Sequence, residues 1–245
     1  MIDLHCHILP NLDDGPDSLA TALKMAKKAV KEGITHILAT PHHNMRYSNP
    51  KHKIMDEVAW FQNELNQAKI PLRIFEGQEV RVHSNLLDEI QNDRILFTDV
   101  EDTYLQLELP SNEVPEYFEV LLYDLRNIGI TPILVHPERN SVIYNNPNLL
   151  YQYLNMGVLS QITAPSIVGV YGKEIQKFAH KLIETNMAHM LASDAHEIGM
   201  RDFHMKQAYG IIRKHHGKGR VYEMKEVARK CLNGDPVKVP QHQAL

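Results

Sequence analysis

Nine histidine, aspartate and glutamate residues stand at or just past the ends of short apolar segments of the chain. Imidazole and carboxylate groups are common ligands of Mn²⁺, Fe²⁺ and Zn²⁺, and a set without thiolate does not suit a structural cysteine-rich zinc site. Because the set mixes the two donor types, it favours these ions over Mg²⁺. We predict a centre of two or three divalent ions held by His5, His7, Asp14, His42, Glu79, Glu108, His136, Asp194 and His196.

The position of these residues relative to the predicted strands carries the argument. Six of the seven predicted strands end in such a residue, and the sixth strand offers only Gln161 and Thr163. The loops that follow parallel strands meet on one face, where clustered carboxylates would repel one another unless cations compensate. A single member means little, because with 15 histidines a His-x-His such as His5 and His7 is expected by chance. The joint pattern is what predicts a metal site.

Strands and helices that could position these residues alternate along the whole chain. Apolar, β-branched segments predict strands over 1–5, 34–40, 72–80, 104–109, 130–135, 158–163 and 187–193. Helical spacing predicts helices over 17–33, 54–68, 84–91, 115–128, 147–156, 173–186, 201–215 and 222–232. The alternation predicts one α/β domain over 1–233, with parallel strands closed into a TIM-like barrel and a loosely ordered tail over 234–245. A doubly wound open sheet would give the same alternation.

Composition narrows the class of partner and compartment. A formal net charge of -4 gives nucleic acid no electrostatic support as a partner. Two cysteines, Cys6 and Cys231, cannot form a disulfide framework and suit a reducing compartment. The start MIDLHCHILP has no basic region before an apolar run, and no segment reaches the roughly 18 apolar residues of a spanning helix. We expect a cytoplasmic protein that is not inserted in a membrane.

Two arginines extend the predicted face. Arg139 follows His136-Pro137-Glu138, and Arg201 follows Asp194-Ala195-His196 after a short loop. A guanidinium group can donate two parallel hydrogen bonds to phosphate oxygens. Together with the metal ligands, the two arginines predict a metal-dependent hydrolase of phosphate esters.

Other interpretations of single residues stay open. Arg139 could form an ion pair with Glu138, and Glu79 or Glu108 could pair with Arg81 or Arg139 instead of binding a metal. Asp194 could be a helix N-cap. Cys6 does not fit a cysteine-dependent phosphatase, which needs an arginine six positions on where this chain has Leu12, so we assign it to the core.

The motifs resemble those of the polymerase-and-histidinol-phosphatase (PHP) superfamily. They are His5-x-His7, His42 after Thr-Pro, the HPER segment 136–139 and the SDAH segment 193–196. Longer strings resemble more narrowly the manganese-dependent bacterial protein-tyrosine phosphatases encoded with capsule and exopolysaccharide genes. These strings are MIDLHCHILPNLDDGP, ATPHH, GQEVRV, SQITAPSIVG and SDAH, and they span nearly the whole chain.

The resemblance implies a distorted seven-stranded barrel with a trinuclear site, manganese being the metal we expect first and Fe, Zn or Mg next. It places His5, His7, Glu79 and Asp194 around one ion, with Glu79 bridging to a second ion held by Glu108 and His136. The third ion would be held by Asp14, His42 and His196. Arg139 and Arg201 match phosphate or transition-state contacts. One departure, TAPS at 163–166, is expected only to reshape a loop.

By the same resemblance, the substrate would be phosphotyrosine on a bacterial tyrosine kinase that governs polysaccharide export, hydrolysed by a metal-activated water. The main alternative is a phosphatase of histidinol phosphate or another small metabolite. A nuclease fits the acidic balance poorly. A regulatory module with purely structural metals is the alternative from another class. The oligomeric state, the metal in vivo and any general acid stay open.

Overall fold

The structure is a computed structural model that describes every residue from Met1 to Leu245. Its nine strands are β1 Ile2–Cys6, β2 His36–Ala39, β3 His42–His43, β4 Arg73–Glu76, β5 Glu79–Arg81, β6 Tyr104–Glu108, β7 Thr131–Val135, β8 Leu159–Thr163 and β9 Met190–Ala192. Its nine α-helices are α1 Leu19–Glu32, α2 Lys51–Gln67, α3 Leu86–Gln91, α4 Phe118–Asn127, α5 Ser141–Asn145, α6 Pro147–Asn155, α7 Ala164–Val168, α8 Lys173–Glu184 and α9 Met205–Asn233. A 3₁₀ turn, Pro137–Arg139, follows β7.

All the strands pair in parallel, in two sheets with the orders β1-β2-β4 and β3-β5-β6-β7-β8-β9. The predicted strand over 34–40 is β2 alone, and β3 follows it in the other sheet after a break at Pro41, whereas the predicted strand over 72–80 divides into β4 and β5. Gly77 lies at this division, where a Cβ would come within 2.6 Å of Leu38 Cγ, so the close approach requires glycine. A parallel bridge between Cys6 and Ala195 joins β1 to the segment after β9. The fold is therefore a mixed α/β arrangement of parallel sheets.

Most helices follow from local sequence. The Ser18 hydroxyl accepts a hydrogen bond from the Thr21 N–H at the start of α1, and Gly33 ends the helix with φ 87°. The two helices predicted near the C-terminus are the halves of α9, which breaks at Gly217 (φ 86°, ψ 166°). Helices α5 and α7 were not predicted, since five residues are too few for a helical period to be recognised. No helix is both long and apolar enough to cross a membrane.

Two apolar clusters hold the strands in place. The larger contains 55 buried residues, mostly between the sheets and the helices. Cys6 belongs to it with no exposed surface, which confirms its assignment to the core. The smaller joins residues of both sheets to α9; it contains Leu4, Leu38, Tyr104, Ile133, Val135, Leu159, Met190, Val227, Ala228 and Cys231. A packed interior of this kind fixes the strand ends that carry the predicted ligands.

The segment predicted as a loosely ordered tail lies against the rest of the molecule. It has no regular secondary structure, but Val237 and Val239 pack on the smaller cluster. The Asn186 side chain donates a hydrogen bond to the Gln241 carbonyl at 3.0 Å, and the Gln243 N–H donates to the Thr185 carbonyl at 3.0 Å. The tail therefore has specific contacts that its polar composition does not indicate.

The contact between this tail and His189 predicts a loss of stability in mild acid. Burial, then His242 and Arg220, lower the pKa of His189 from 6.5 to about 3, and its Nε2 lies 2.9 Å from His242 Nε2. As the pH falls, His189 becomes protonated in the unfolded chain near pH 6.5, well before it does so in the folded protein. The residue therefore stabilises the fold above pH 6.5, and this contribution falls by about 1.4 kcal/mol per pH unit below it.

We expect the melting temperature of the wild-type protein to fall more steeply between about pH 7.5 and 5 than that of His189→Gln, as measured by calorimetry. His52→Gln, which changes an exposed histidine of α2, is the matched control and should keep the wild-type slope. Equal slopes for wild type and His189→Gln would contradict the prediction.

Candidate active site

The structure brings all nine predicted metal ligands together at the C-terminal ends of the strands. Each residue offers one nitrogen or oxygen atom, and the atoms of each group lie within 4.8 Å of one another. The four groups are His7, Asp14, His42 and His196; His5, Glu79 and His136; His5, His7 and Asp194; and His42, Glu79 and Glu108. Because several residues belong to two groups, the groups form one continuous cluster.

Glu79 lies at the centre of this cluster and has no exposed surface. Its carboxylate oxygens approach four imidazoles: Oε2 is 3.4 Å from His5 Nε2, 3.3 Å from His7 Nε2 and 2.7 Å from His42 Nδ1, and Oε1 is 2.8 Å from His136 Nε2. His42 Nδ1 and Glu79 Oε2 are buried and 2.7 Å apart, yet neither atom has a hydrogen-bond partner. Nitrogen and oxygen atoms that converge without hydrogen bonds are better explained as ligands of a shared cation.

The pKa values of the clustered carboxylates also indicate a site for cations. Burial alone would raise the pKa of Asp194, but Arg139 and then His196 hold it well below its usual value. Burial and then the neighbouring Glu79 carboxylate raise the pKa of Glu108. Carboxylates thus crowd into one largely buried space, and the Glu108 carboxyl resists ionisation beside Glu79. Divalent cations would relieve this repulsion.

Asp13, which the sequence analysis passed over, fixes the orientation of a predicted ligand. His7 Nδ1 lies 2.6 Å from Asp13 Oδ2, and the carboxylate also accepts the N–H groups of His42 and Gly15, each at 2.9 Å. A carboxylate that holds Nδ1–H leaves Nε2 free to bind a metal. At Gly15 a Cβ would come within 2.4 Å of the His7 carbonyl oxygen, so this tight turn requires glycine. The Asp-Asp-Gly turn after His-x-His was the available sequence indication.

We expect Asp13→Asn to weaken metal binding by about 10- to 100-fold. An asparagine amide can donate to His7 Nδ1, which favours the tautomer with a protonated Nε2 and removes its lone pair. Mn²⁺ titration calorimetry measures the effect. Asp17→Asn, at an exposed carboxylate that accepts the Thr21 hydroxyl, is the matched control and should bind Mn²⁺ as the wild type does. Unchanged affinity in Asp13→Asn would show that Asp13 does not orient His7.

Two further imidazoles have a partner at Nδ1. The Asp194 carbonyl oxygen lies 2.9 Å from His196 Nδ1 and can accept its N–H, as Asp13 does for His7. Gln161 Nε2 lies 2.8 Å from His5 Nδ1, a contact that positions the ring. In both residues Nε2 is the atom that faces the cluster. The sixth predicted strand, which offered no strong ligand, therefore contributes a residue that orients one.

The HPER turn is anchored by a buried carboxylate. His136 adopts a left-handed conformation (φ 36°, ψ 49°), which is costly for a residue other than glycine. Glu138 Oε1 accepts hydrogen bonds from the Thr163 N–H at 2.9 Å, the Thr163 hydroxyl at 3.0 Å and the Ser166 hydroxyl at 2.7 Å. Two side chains of the TAPS segment, Thr163 and Ser166, therefore tie the turn to the start of α7.

The two predicted arginines lie at the mouth of the cluster, each partly exposed. Arg139 donates to the Asp194 carboxylate, and its Cζ lies 5.3 Å from the centre of the Tyr171 ring. Arg201 Nη1 donates to Asp14 Oδ2 at 2.6 Å, and its Nη2 lies 2.6 Å from His196 Nε2. The cluster therefore has a guanidinium group on the side of β7 and another in the loop after β9.

Of the alternative interpretations of single residues, the structure supports one and contradicts two. Arg139 pairs with Asp194, and the alternative ion pair with Glu138 is not formed. Arg81 does pair with Glu108, at 2.8 Å, while Glu108 also remains in one of the four groups. No helix begins at Asp194, whose φ is 53°, so it is not an N-cap.

Comparison with known proteins gives a full-length match. A family model described as "Capsular polysaccharide synthesis, CpsB/CapC" matches residues 1–232. The tyrosine-protein phosphatase YwqE of Bacillus subtilis (strain 168) is 38% identical over 239 residues, 97% of this chain and 93% of its own. CapC of Staphylococcus aureus is 43% identical over 210 residues, 85% of this chain and 82% of its own.

A solved structure from work on YwqE from Bacillus subtilis and CpsB from Streptococcus pneumoniae, described as metal-dependent tyrosine phosphatases, superposes with a TM-score of 0.96. Its sequence is 38% identical, and the match covers 100% of this chain and 99% of that one. The similarity thus extends to every element that carries a predicted ligand.

Proposed function

The chain belongs to the CpsB/CapC family of capsular polysaccharide synthesis proteins, and we propose that it is a metal-dependent protein-tyrosine phosphatase. The observation that carries the proposal is the cluster of nine nitrogen and oxygen ligands, flanked by two arginines, in a chain that matches YwqE over its length. Both features suit phosphate monoester hydrolysis, because cations offset the phosphate charge and guanidinium donors hold its oxygens.

The donor set fits divalent metal ions, as the unpaired His42 Nδ1 and Glu79 Oε2 indicate. We propose three ions, manganese first among the candidates. One would be held by His5, His7, Glu79 and Asp194; a second by Glu79, Glu108 and His136; and a third by Asp14, His42 and His196, near His7. Ions in such a site act as Lewis acids toward phosphate oxygens and supply a nucleophilic water near neutral pH.

The residues of the chain itself bind and orient the substrate phosphate in this proposal. Arg139 and Arg201 donate to the equatorial phosphate oxygens, where negative charge must be stabilised in the transition state. Asp194 and the Tyr171 ring hold the Arg139 side chain at the mouth of the cluster. The leaving tyrosine phenolate has a conjugate acid with a pKa near 10, so it leaves more easily than an alkoxide and depends less on acid catalysis.

We also propose the setting implied by the family. The substrate would be a phosphotyrosine-containing protein, a bacterial tyrosine kinase that regulates capsular or extracellular polysaccharide synthesis, and the compartment would be the cytoplasm. The strands would close into a seven-stranded barrel, counting β2 with β3 and β4 with β5 as one strand each. The bridge between Cys6 and Ala195, with the Asp194 N–H donating to the His5 carbonyl at 2.8 Å, supports closure between the first and last strands.

The test compares two substrates with purified protein. Phosphate release from a phosphotyrosine peptide and from histidinol phosphate is measured with Mn²⁺ and then with chelator. Mn²⁺-dependent release mainly from the peptide supports the proposal. Turnover of histidinol phosphate alone favours the small-metabolite alternative, and no turnover of either favours a regulatory module. Circular dichroism after chelation shows whether lost activity is accompanied by unfolding.

A further inference from the structure

A cavity of about 420 Å³, lined mostly by polar and charged residues, adjoins the candidate active site. Its walls come from the loop after β3 and the segment from β5 to the start of α3. These are the same two strands that carry His42 and Glu79, which face each other in the parallel register. The cavity therefore lies beside two strands that carry predicted ligands, and it is large enough for a side chain of a bound protein.

Arg81 links the cavity to the metal ligands and keeps donors for a further partner. Its Nε–H donates to Glu108 Oε2 at 2.8 Å, and its two terminal nitrogens make no hydrogen bond within the protein. Glu108 Oε2 in turn lies 3.7 Å from His42 Nδ1. The guanidinium thus contacts a member of the predicted metal cluster directly, while its terminal nitrogens stay free.

The single carboxylate in the cavity wall already has partners. Glu89 Oε2 lies 2.9 Å from His43 Nε2 and 3.6 Å from His83 Nε2. His43 Nδ1 accepts the Asn49 N–H at 3.3 Å, so its Nε2 carries the proton and donates it to Glu89. In the cavity wall, the Glu89 carboxylate is therefore already paired, whereas the Arg81 guanidinium still has N–H groups without a partner.

We propose that this cavity is a subsite for an anionic side chain close to the phosphotyrosine of the substrate protein. The proposal rests on the tyrosine phosphatase function proposed above. A carboxylate or second phosphate would accept the free Arg81 donors, a charge-assisted interaction. Neighbouring residues of an extended peptide are about 3.3 Å apart, so a residue one to three positions away lies within about 10 Å of the phosphotyrosine along the chain. Arg81 lines the cavity and contacts Glu108 of the cluster, so we expect the subsite to act on residues in this range.

The mouth of the cavity suits a peptide of this kind. Ser84 and Asn85 are exposed there, and their side chains make no hydrogen bond within the protein. Met45 is fully exposed on the opposite wall. A methionine offers an adaptable apolar surface to a bound chain, while the uncommitted hydroxyl and amide can bind its backbone.

The experiment uses one phosphotyrosine peptide with glutamate, phosphoserine, alanine or lysine at each position within three residues of the phosphotyrosine. At one or more positions, we expect the glutamate or phosphoserine peptide to have a kcat/KM about five- to tenfold above that of the lysine peptide. A preference for phosphoserine alone identifies a second phosphate as the ligand, and an equal preference identifies any anion. Indifference to the charge at all positions overturns the proposal.

A negative charge introduced in the cavity tests whether the preference for anionic peptides arises there. Asn85→Asp should reduce the ratio of kcat/KM for glutamate and lysine peptides several-fold, because the new carboxylate repels an anionic side chain. Asn112→Asp adds the same charge to an exposed position in the loop after β6, outside the cavity, and should keep the wild-type ratio. An equal change in both variants, or none in Asn85→Asp, contradicts the subsite. Turnover of p-nitrophenyl phosphate by the wild-type protein tests the phosphatase function separately.

Discussion

Glu79→Gln is expected to lower kcat/KM for a phosphotyrosine peptide by at least about 1000-fold, and to lower the amount of bound metal. Glu79 belongs to two of the four ligand groups and approaches four imidazoles from a position with no exposed surface. A neutral amide of nearly the same shape supplies one oxygen acceptor and no charge, so it cannot bridge two cations. Steady-state kinetics with Mn²⁺ and the metal content of the purified protein measure the two effects.

Asp99→Asn is the matched control for this substitution. Asp99 is also a buried carboxylate, but it accepts backbone N–H groups of Thr103 and Tyr104 at the other end of β6. Its replacement should lower the melting temperature and leave the metal content unchanged. If Glu79→Gln keeps its metal and loses less than about tenfold in kcat/KM, the assignment of Glu79 as a bridging ligand is wrong.

The ligand cluster could be predicted because it depends on one topological rule. Side chains at the C-terminal ends of parallel strands meet on one face, so the His, Asp and Glu residues that follow the apolar segments were expected to lie together, as they do. The pairing of His42 with Glu79 in adjacent strands could not be predicted, since the register is set by the division of both strands near Pro41 and Gly77. The division of the strands depends on close packing between the two sheets, and such long-range packing leaves no recognisable pattern in the local sequence.

The residues that orient the ligands were the ones missed. Asp13, Gln161 and Glu138 act on other side chains through hydrogen bonds that exist only in the folded chain. Nothing in sequence spacing separates an acidic residue that binds a metal from its neighbour that holds an imidazole. Asp13 and Asp14 are adjacent, yet one contacts His7 Nδ1 and the other belongs to a ligand group.

Arg139→Lys is expected to lower kcat/KM for a phosphotyrosine peptide by about 100-fold, and Arg139→Ala by more. The guanidinium donates to Asp194 and keeps further donors in the same plane, which can fork onto two phosphate oxygens. A lysine ammonium keeps the charge but loses the planar fork and its stacking on Tyr171. The comparison therefore separates the shape of the donor from its charge.

Arg126→Lys is the matched control, because Arg126 donates to the Thr131 side chain at the opposite end of the strands and should tolerate lysine within about twofold. The inhibition constant for inorganic phosphate distinguishes two roles for Arg139. If Arg139 binds the phosphate, Arg139→Lys weakens inhibition by phosphate while the bound metal is unchanged. If Arg139 serves only to hold Asp194, metal content falls and phosphate inhibition of the remaining active enzyme stays as in the wild type. A loss of less than about fivefold in kcat/KM would contradict both roles.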